Sequence, residues 1–446
     1  MNSELSLDQA PPISVPFRFF ITAPLFGMTA AVLLLAYSRT VFLSRWAPET
    51  LALTHLLTLG FIGLVMCGAI IQMLPVLGGR TIPNAKPASM IIHTLLVAGI
   101  LTFITGLLTP SSILMTVTLV LLGSGFGIFI LIILITTLLP IKTSNKTVST
   151  MRLALISLLI TITMGISLLS VFIWPGISLD TSMTTDLHLT WGILGWIALL
   201  LIGLAYQVVP MFQMTNEYPL WMRRYLLPIL FAGLVIWTIA KLSGPSLQWL
   251  TSLIMLLCIA GYISFSIVTL WLQQNRSRRS HDVTLLFWRF AMLSALTGAA
   301  LWLINTLMPG LINSSRYHFI LGVILLTGFA VSVINGMLYK IMPFLIWFHL
   351  QHRQLALGLG RKYAIPNMKQ IIPDQHAQRH FNLHTAGVLA LILASTHPTN
   401  WLIYLAGLIT LTSFALLLHN QFKAIQLYRD YNRRLKAASK AVHHSD

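Results

Sequence analysis

Long apolar runs separated by short polar connections constrain the fold of this chain more than any other feature. A helix needs about 20 apolar residues to cross the hydrocarbon core of a bilayer. The chain has 446 residues, of which 56% are hydrophobic and only 9% are charged, whereas a soluble domain carries about 25% charged residues. We therefore predict an all-α polytopic membrane bundle of about 12 transmembrane helices. The predicted spans are roughly 19–38, 51–77, 88–108, 112–140, 153–174, 187–212, 225–243, 247–272, 284–307, 317–347, 383–396 and 399–421.

The distribution of lysine and arginine predicts how the bundle is oriented. Most of these residues follow the even-numbered spans or lie in the C-terminal tail. The opposite connections hold only Arg39, Arg45, Lys241 and Arg316. By the positive-inside rule the first set is cytoplasmic, so we expect both termini in the cytoplasm and the protein in a bacterial inner membrane. The expected parts are an N-terminal segment 1–18, a membrane domain 19–421 with a basic loop at about 350–382, and a basic tail 422–446.

The net charge of +18 does not indicate nucleic-acid binding, because no soluble basic domain is present to hold a nucleic acid. Membrane lipid is the partner that the composition predicts. Cys67 and Cys258 both lie inside apolar runs. The sequence has neither a CxxC nor a CxxCH motif, so a redox dithiol and covalently attached haem c are not expected.

Histidines open three of the even-numbered spans, and these spans share one plan. His55, His188 and His318 are each followed by glycine within two turns and by a proline on the order of 30–38 Å further along the helix. The three imidazoles are therefore expected at one depth near the outer face. Two neutral imidazoles on facing helices are a ligand set for haem iron. A single histidine at a helix end is more often an interfacial residue, but three in one register favour ligands.

The three spans resemble helices of a known family. The stretch HLLTLGFIGLVMCGAIIQMLP from His55, the stretch HLTWGILGWIALLLIGLAYQVVP from His188 and the stretch HFILGVILLTGFAVSVINGMLYKIMP from His318 are similar to helices two, six and ten of subunit I of haem-copper oxidases and nitric oxide reductases. The resemblance implies a haem-copper oxidase subunit I-like fold. It also implies that His55 and His318 are the axial ligands of one haem b, and that His188 is a ligand of a non-haem metal, copper or iron.

The departures from that family limit the expected chemistry. Arg316 stands where the family has the ligand of its high-spin haem, and residues 225–243 contain no histidine. Terminal oxidase activity is therefore not expected, and the chain looks like a degenerate member. It also resembles the NnrS family of haem- and copper-containing twelve-helix proteins linked to nitric oxide stress. Arg316 is placed to pair with a haem propionate through charge-assisted hydrogen bonds, or equally with a lipid phosphate.

The resulting hypothesis is an integral membrane haem b protein that acts in electron transfer or in nitric oxide and respiratory stress handling. A c-type cytochrome or a respiratory subunit is the protein partner that this hypothesis implies. Two alternatives stay open, a polytopic transporter or permease without a redox cofactor and an accessory subunit of a respiratory complex. The absence of acidic residues at mid-span counts against an ion-coupled carrier.

Three further histidines, His376, His380 and His384, are spaced i, i+4, i+8. On a helix they share one face and could bind zinc or copper. A solvated basic loop with chance spacing is the other interpretation, and the sequence favours it.

Overall fold

The structure, a computed structural model, describes residues 9–138, 146–277, 282–308, 310–311, 314–359 and 364–443. This part of the chain contains helices and no β-strand. The start of the predicted N-terminal segment, part of the predicted basic loop and the last three residues of the predicted tail lie outside the described residues. The all-helical class predicted from the sequence is confirmed.

Twelve long helices account for most of the described residues. The first six are α1 (Ser14–Tyr37), α2 (48–78), α3 (Ala85–Leu108), α4 (Ser112–Leu138), α5 (Lys146–Ile173) and α6 (Thr181–Gln213). The other six are α7 (Met222–Leu242), α8 (Gln248–Gln274), α9 (Val283–Leu307), α10 (314–356), α11 (Asp374–Thr396) and α12 (Asn400–His443). Three short helices lie between them, at Ser38–Phe42, Pro245–Leu247 and Met368–Ile371.

Eleven of these helices, all except α11, are long and apolar enough to cross a membrane. The protein is therefore a multi-pass membrane protein. The predicted span 383–396 is the C-terminal half of α11, and the polar N-terminal half of that helix leaves it without a sufficiently long apolar stretch. The predicted loop 350–382 is also shorter than expected, because α10 continues to Ala356 and α11 begins at Asp374.

The ends of several helices follow from local sequence. Pro48 occupies the first turn of α2, where its missing N–H is not needed. At the other end of α2, Gly79 has a φ of 65°, a left-handed conformation that terminates helices and favours glycine. The Asp180 and Asp282 carboxylates accept hydrogen bonds from backbone N–H groups at the starts of α6 and α9. These signals set where the spans begin and end.

Helices α2, α6 and α10 form the centre of the bundle. In the most apolar stretch of α2, 83% of the residues are buried, and the fraction is 67% in both α6 and α10. The corresponding fraction is only 17% in α5 and α9, whose apolar side chains face outward where lipid would lie. Helix α12 packs against α1 and α11, which joins the end of the chain to its beginning. The three histidine-bearing helices are therefore the core of the protein.

Candidate functional site

A π-helical segment follows the histidine in each of the three central helices. These segments are Leu56–Gly63 in α2, Trp191–Ala198 in α6 and Val323–Val331 in α10. The segment of α10 contacts the segments of both α2 and α6. A π-helix shifts the following side chains around the helix axis and often occurs at functional sites. The common plan predicted for these helices therefore has a structural counterpart, and it lies at one level of the bundle.

The π-helical segments leave backbone carbonyl groups that other helices or turns must satisfy. The hydroxyl of Tyr262 on α8 donates to the carbonyl oxygen of Leu194 at 2.7 Å. In α10 the hydroxyl of Ser332 donates to the carbonyl oxygen of Thr327 at 3.2 Å. These side chains stabilise an irregular backbone at a depth where water is scarce.

The structure brings His55 of α2 and His188 of α6 together. Their ring centres are 6.3 Å apart and their planes are inclined by 28°. This places the two histidines at the same depth, as the sequence predicted. Because α2 and α6 are the supports, the pair depends on the packing of two central helices.

Hydrogen bonds define which ring nitrogens of this pair are free. The Nδ1 atom of His55 lies 2.7 Å from the carbonyl oxygen of Leu51, and the Nδ1 atom of His188 lies 2.9 Å from that of Thr161. Since a carbonyl oxygen only accepts, each Nδ1 carries the hydrogen and each neutral ring keeps its lone pair on Nε2. Neither Nε2 has a hydrogen-bond partner in the described part of the chain. A backbone carbonyl that orients an imidazole in this way is typical of metal-binding histidines.

Neighbouring helices fix the two rings. Phe103 of α3 packs its edge against the His55 ring, with ring centres 5.0 Å apart. Gly165 of α5 lies against the His188 ring, and a Cβ atom at this position would lie 3.1 Å from its Cε1 atom. A larger residue at 165 would therefore push the ring a few tenths of an ångström away from α5, where it bonds to Thr161.

The two histidines open onto a cavity of about 780 Å³. Apolar side chains, most often leucine, make up most of its wall. Gly192 and Gly322 also line it, and each lies four residues after a histidine, on the same helix face. A Cβ atom at Gly322 would meet no atom within 4 Å. The cavity is within the range of about 300–1,000 Å³ that is typical of sites for small molecules and cofactors.

His318 lines the same cavity but does not join the pair. Its side chain is exposed, and its ring packs against the ring of Tyr317 in the same helix. The ion pair between Arg45 and Asp186, with a separation of 3.4 Å, lies near it. The structure thus brings His55 next to His188, whereas the sequence paired His55 with His318.

Arg316 and Arg45 differ in what they face. The Nη1 atom of Arg316 donates to the carbonyl oxygen of Phe42 at 3.3 Å, and Arg316 is not part of the cavity wall described here. Arg45 does line the cavity and stacks its guanidinium on Trp46 at 4.7 Å. The cation nearest to a ligand in the cavity is therefore Arg45, which sequence reasoning did not select because it is separated from the histidine motifs.

The three histidines that are spaced i, i+4, i+8 in the sequence lie on α11, at the expected spacing. His380 and His384 are buried, whereas His376 is partly exposed at the polar start of the helix. Among the described residues no group of three or more histidine, cysteine, aspartate or glutamate side chains is arranged to hold a metal ion. On the central helices, His55 and His188 supply two imidazole nitrogens as candidate ligands.

Fold and site together define an integral membrane protein with a histidine-lined cavity among its central helices. The chain matches no model of a known protein family, and no curated protein matches its sequence.

Proposed function

We propose that this protein binds haem b in the histidine-lined cavity and acts in electron transfer or in nitric oxide and respiratory stress handling in a bacterial inner membrane. His55 would be one ligand of the haem iron. The observation that carries the proposal is the pair of free Nε2 atoms on two central helices. The ring separation favours His188 over His318 as the second ligand.

The separation of the two ring centres fits one metal shared by two imidazoles on opposite sides of it. A metal–nitrogen bond to histidine is about 2.0–2.1 Å long, so two rings that share one metal have centres about 6 Å apart. The observed separation is 6.3 Å. The Nδ1–H groups are held by backbone carbonyls, so each ring already presents its lone pair and needs no change of tautomer.

The cavity wall fits a flat apolar macrocycle with charged edges. Gly322 leaves the wall open one turn after His318, because a Cβ atom there would meet nothing within 4 Å. Arg45 lies on the wall and could hold a propionate by a charge-assisted hydrogen bond. When bound, haem supplies one-electron chemistry at its iron. The chain itself supplies the two imidazoles and an apolar surrounding that excludes water.

An absorption spectrum of the purified full-length protein tests this proposal. We expect the pyridine haemochrome of haem b and a reduced-minus-oxidised spectrum typical of two axial histidines. His55→Ala should remove most of the bound haem. His352→Ala is the matched control, because His352 lies on α10 near its end, outside the cavity wall.

Two results would contradict the proposal. One is protein that folds and purifies without haem although haem was supplied during expression. The other is equal haem content in His55→Ala and in the unmodified protein. In the first case substrate flux into vesicles would become the next measurement, since a transporter is the alternative that the fold permits.

A further inference from the structure

A polar cleft of about 450 Å³ lies between the start of α11 and the later part of α12. The short helix Met368–Ile371 and the two residues after it form a third side. We call this space the α11–α12 cleft. Among the described residues it shares no wall residue with the histidine-lined cavity, so it is a second and separate candidate for a binding site.

The α11–α12 cleft lies at the membrane surface opposite to the histidine-lined cavity. Asn420 of its wall donates through Nδ2 to the hydroxyl oxygen of Tyr339 at 2.9 Å. Tyr339 follows His318 by 21 residues on α10, which is about 30 Å along the helix and about the thickness of the hydrocarbon core. Asn420 is therefore at the far edge of the core. The distribution of lysine and arginine predicts that this edge is the cytoplasmic one.

Hydrogen bonds and an ion pair hold the third side of the cleft in place. The side-chain oxygen of Asn367 accepts from the backbone N–H groups of Lys369 and Gln370, and the side chain of Gln370 accepts from the backbone N–H of Asn367. The Lys369 ammonium pairs with the Asp374 carboxylate at 2.8 Å, which ties the short helix to the start of α11. A ligand would thus meet a wall that is already ordered, so binding costs less conformational entropy.

Positive charge collects where the cleft begins. Lys423 is one turn after Asn420 on α12 and lies in the wall. In the described part of the chain its ammonium has neither an ion-pair nor a hydrogen-bond partner. Partial burial, together with the charges of Lys423 and Arg379, lowers the pKa of the His376 imidazole, which lies in the same wall. Two cations therefore converge on this end, where an anion would be attracted.

The acidic residue of the wall lies further out. Asp430 follows Lys423 by seven residues, about 10 Å along α12. Arg434, also in the wall, is one turn beyond Asp430, a spacing at which opposite charges on a helix attract each other. Asp430 is thus balanced by its own neighbour, and an anion at Lys423 meets little repulsion.

A buried acceptor stands beside the cation. Asn420 is 3% exposed, and its Oδ1 atom has no hydrogen-bond partner within the described ranges. A buried carbonyl oxygen is costly to leave unpaired, and it only accepts. The start of the cleft therefore presents a cation that needs an acceptor and an oxygen that needs a donor. A group that carries both a phosphate and a hydroxyl satisfies the two together.

The depth of Lys423 favours a lipid as the source of that group. The polar layer of a bilayer extends about 5–8 Å beyond each edge of the hydrocarbon core. Lys423 lies about 4–5 Å beyond Asn420 along α12, which is within this layer, whereas Arg434 lies about 21 Å beyond it. Basic pockets between helices at the cytoplasmic surface are typical sites for anionic lipid head groups.

We propose that the α11–α12 cleft binds one anionic phospholipid, with its phosphate at Lys423 and a head-group hydroxyl at Oδ1 of Asn420. Phosphatidylglycerol has both groups. The proposal rests on the contacts of α11 and α12 and does not depend on haem binding.

Native mass spectrometry of the full-length protein in detergent, titrated with phosphatidylglycerol, tests the proposal. We expect one lipid molecule to bind more tightly than any further ones. Lys423→Gln should weaken the binding of this first molecule at least about fivefold, which is the usual contribution of one basic residue at an anionic leaflet. Lys423→Arg keeps the charge and should retain most of the affinity. Because Lys423 is exposed, neither change disturbs the packing of the bundle.

Lys436→Gln is the matched control. Lys436 is an exposed lysine on the same helix but is not part of the cleft wall, so this variant should bind phosphatidylglycerol like the unmodified protein. The proposal is overturned if Lys436→Gln loses as much affinity as Lys423→Gln. It is also overturned if phosphatidylcholine with the same acyl chains, which is zwitterionic and has no head-group hydroxyl, binds as tightly.

Glycerol 1-phosphate distinguishes a lipid from a soluble source of the same groups. It carries the phosphate and the hydroxyls without acyl chains, and we expect it not to displace the first phosphatidylglycerol molecule at equal concentration. Displacement at equal concentration would assign the cleft to a soluble phosphate ester and would overturn the lipid proposal. The haem spectrum of Lys423→Gln is recorded separately and should be that of the unmodified protein.

Discussion

Two pairs of imidazoles in this protein have almost the same separation and different surroundings. The ring centres of His55 and His188 are 6.3 Å apart, and those of His380 and His384 are 6.2 Å apart. The first pair comes from two helices and opens onto a large cavity. The second pair lies one turn apart on α11 and is packed among aromatic rings such as that of Phe287.

The difference lies in the hydrogen bonds rather than in the distance. In the first pair both Nδ1 atoms bond to backbone carbonyls, which leaves the lone pair of each neutral ring on Nε2. In the second pair His384 is bonded through Nε2 to the buried Ser332 hydroxyl, while the ring nitrogens of His380 have no hydrogen-bond partner in the described part of the chain. Matched lone pairs suit a shared metal.

The largest effect on haem binding is expected when a histidine of the first pair is replaced by alanine. His188→Ala removes one of the two lone pairs, so we expect bound haem to weaken at least about tenfold, which corresponds to about 1.4 kcal/mol. His384→Ala should leave haem binding unchanged because that ring faces the second region. Haem titration of both purified variants provides the measurement. If His318→Ala loses the haem instead and His188→Ala retains it, the second ligand is His318, as the sequence motifs implied.

A smaller effect is expected from the glycine that supports the first pair. In Gly165→Val the new Cβ atom meets Cε1 of His188 at 3.1 Å, so the ring must move away from Thr161. We expect haem binding to weaken about three- to tenfold, or about 0.7–1.4 kcal/mol. Gly127→Val on α4 is the control, since a Cβ atom there meets nothing within 4 Å. Equal haem affinity in the two variants would show that the ring position at α5 is not needed.

The smallest expected effect is on the stability of the protein and concerns two ion pairs. Lys340 on α10 and Asp282 form a pair at 2.8 Å with side chains 23% and 13% exposed, whereas the Arg45–Asp186 pair is 3.4 Å long and more exposed. Asp282→Asn should lower the free energy of unfolding by about 1 kcal/mol, and Asp186→Asn by less than about 0.5 kcal/mol. Asparagine retains the capping of α9, so the first change isolates the ion pair. Thermal unfolding in detergent checks the order, and a larger loss in Asp186→Asn would reverse it.

The spans were predicted well from the sequence, because the solubility of a helix in lipid depends on the residues of that helix alone. Eleven of the twelve predicted spans are helices of the required length and apolarity. The span 383–396 failed as an independent span because α11 starts nine residues earlier with mostly polar residues, which leave no apolar stretch long enough to cross a membrane. His380 lies in this polar part, and His384 lies one turn later, inside the predicted span. Their burial depends on contacts with α9 and α10, which local composition does not contain.

The sequence predicted some residues of the site but not how they are arranged. The shared plan of histidine, glycine and proline identified α2, α6 and α10, and the structure places these helices at the centre. In a π-helix each backbone hydrogen bond spans one residue more than in an α-helix. The sequence carries no signature of this difference, so it does not distinguish the π-helical segments from ordinary helix. Arg45 and Gly165 were missed because each reaches the cavity from a helix or connection far from the motifs.

The sequence by itself therefore determined the helical class, the membrane character and the three helices that carry the candidate ligands. These properties follow from the number of apolar residues in each run and from the low charge of the chain. The tertiary structure decided which histidines meet, and it paired His55 with His188 rather than with His318. It also joined His384 to Ser332 across α10 and α11. Both contacts depend on the rotation and register of packed helices, which are set by side chains on several helices at once.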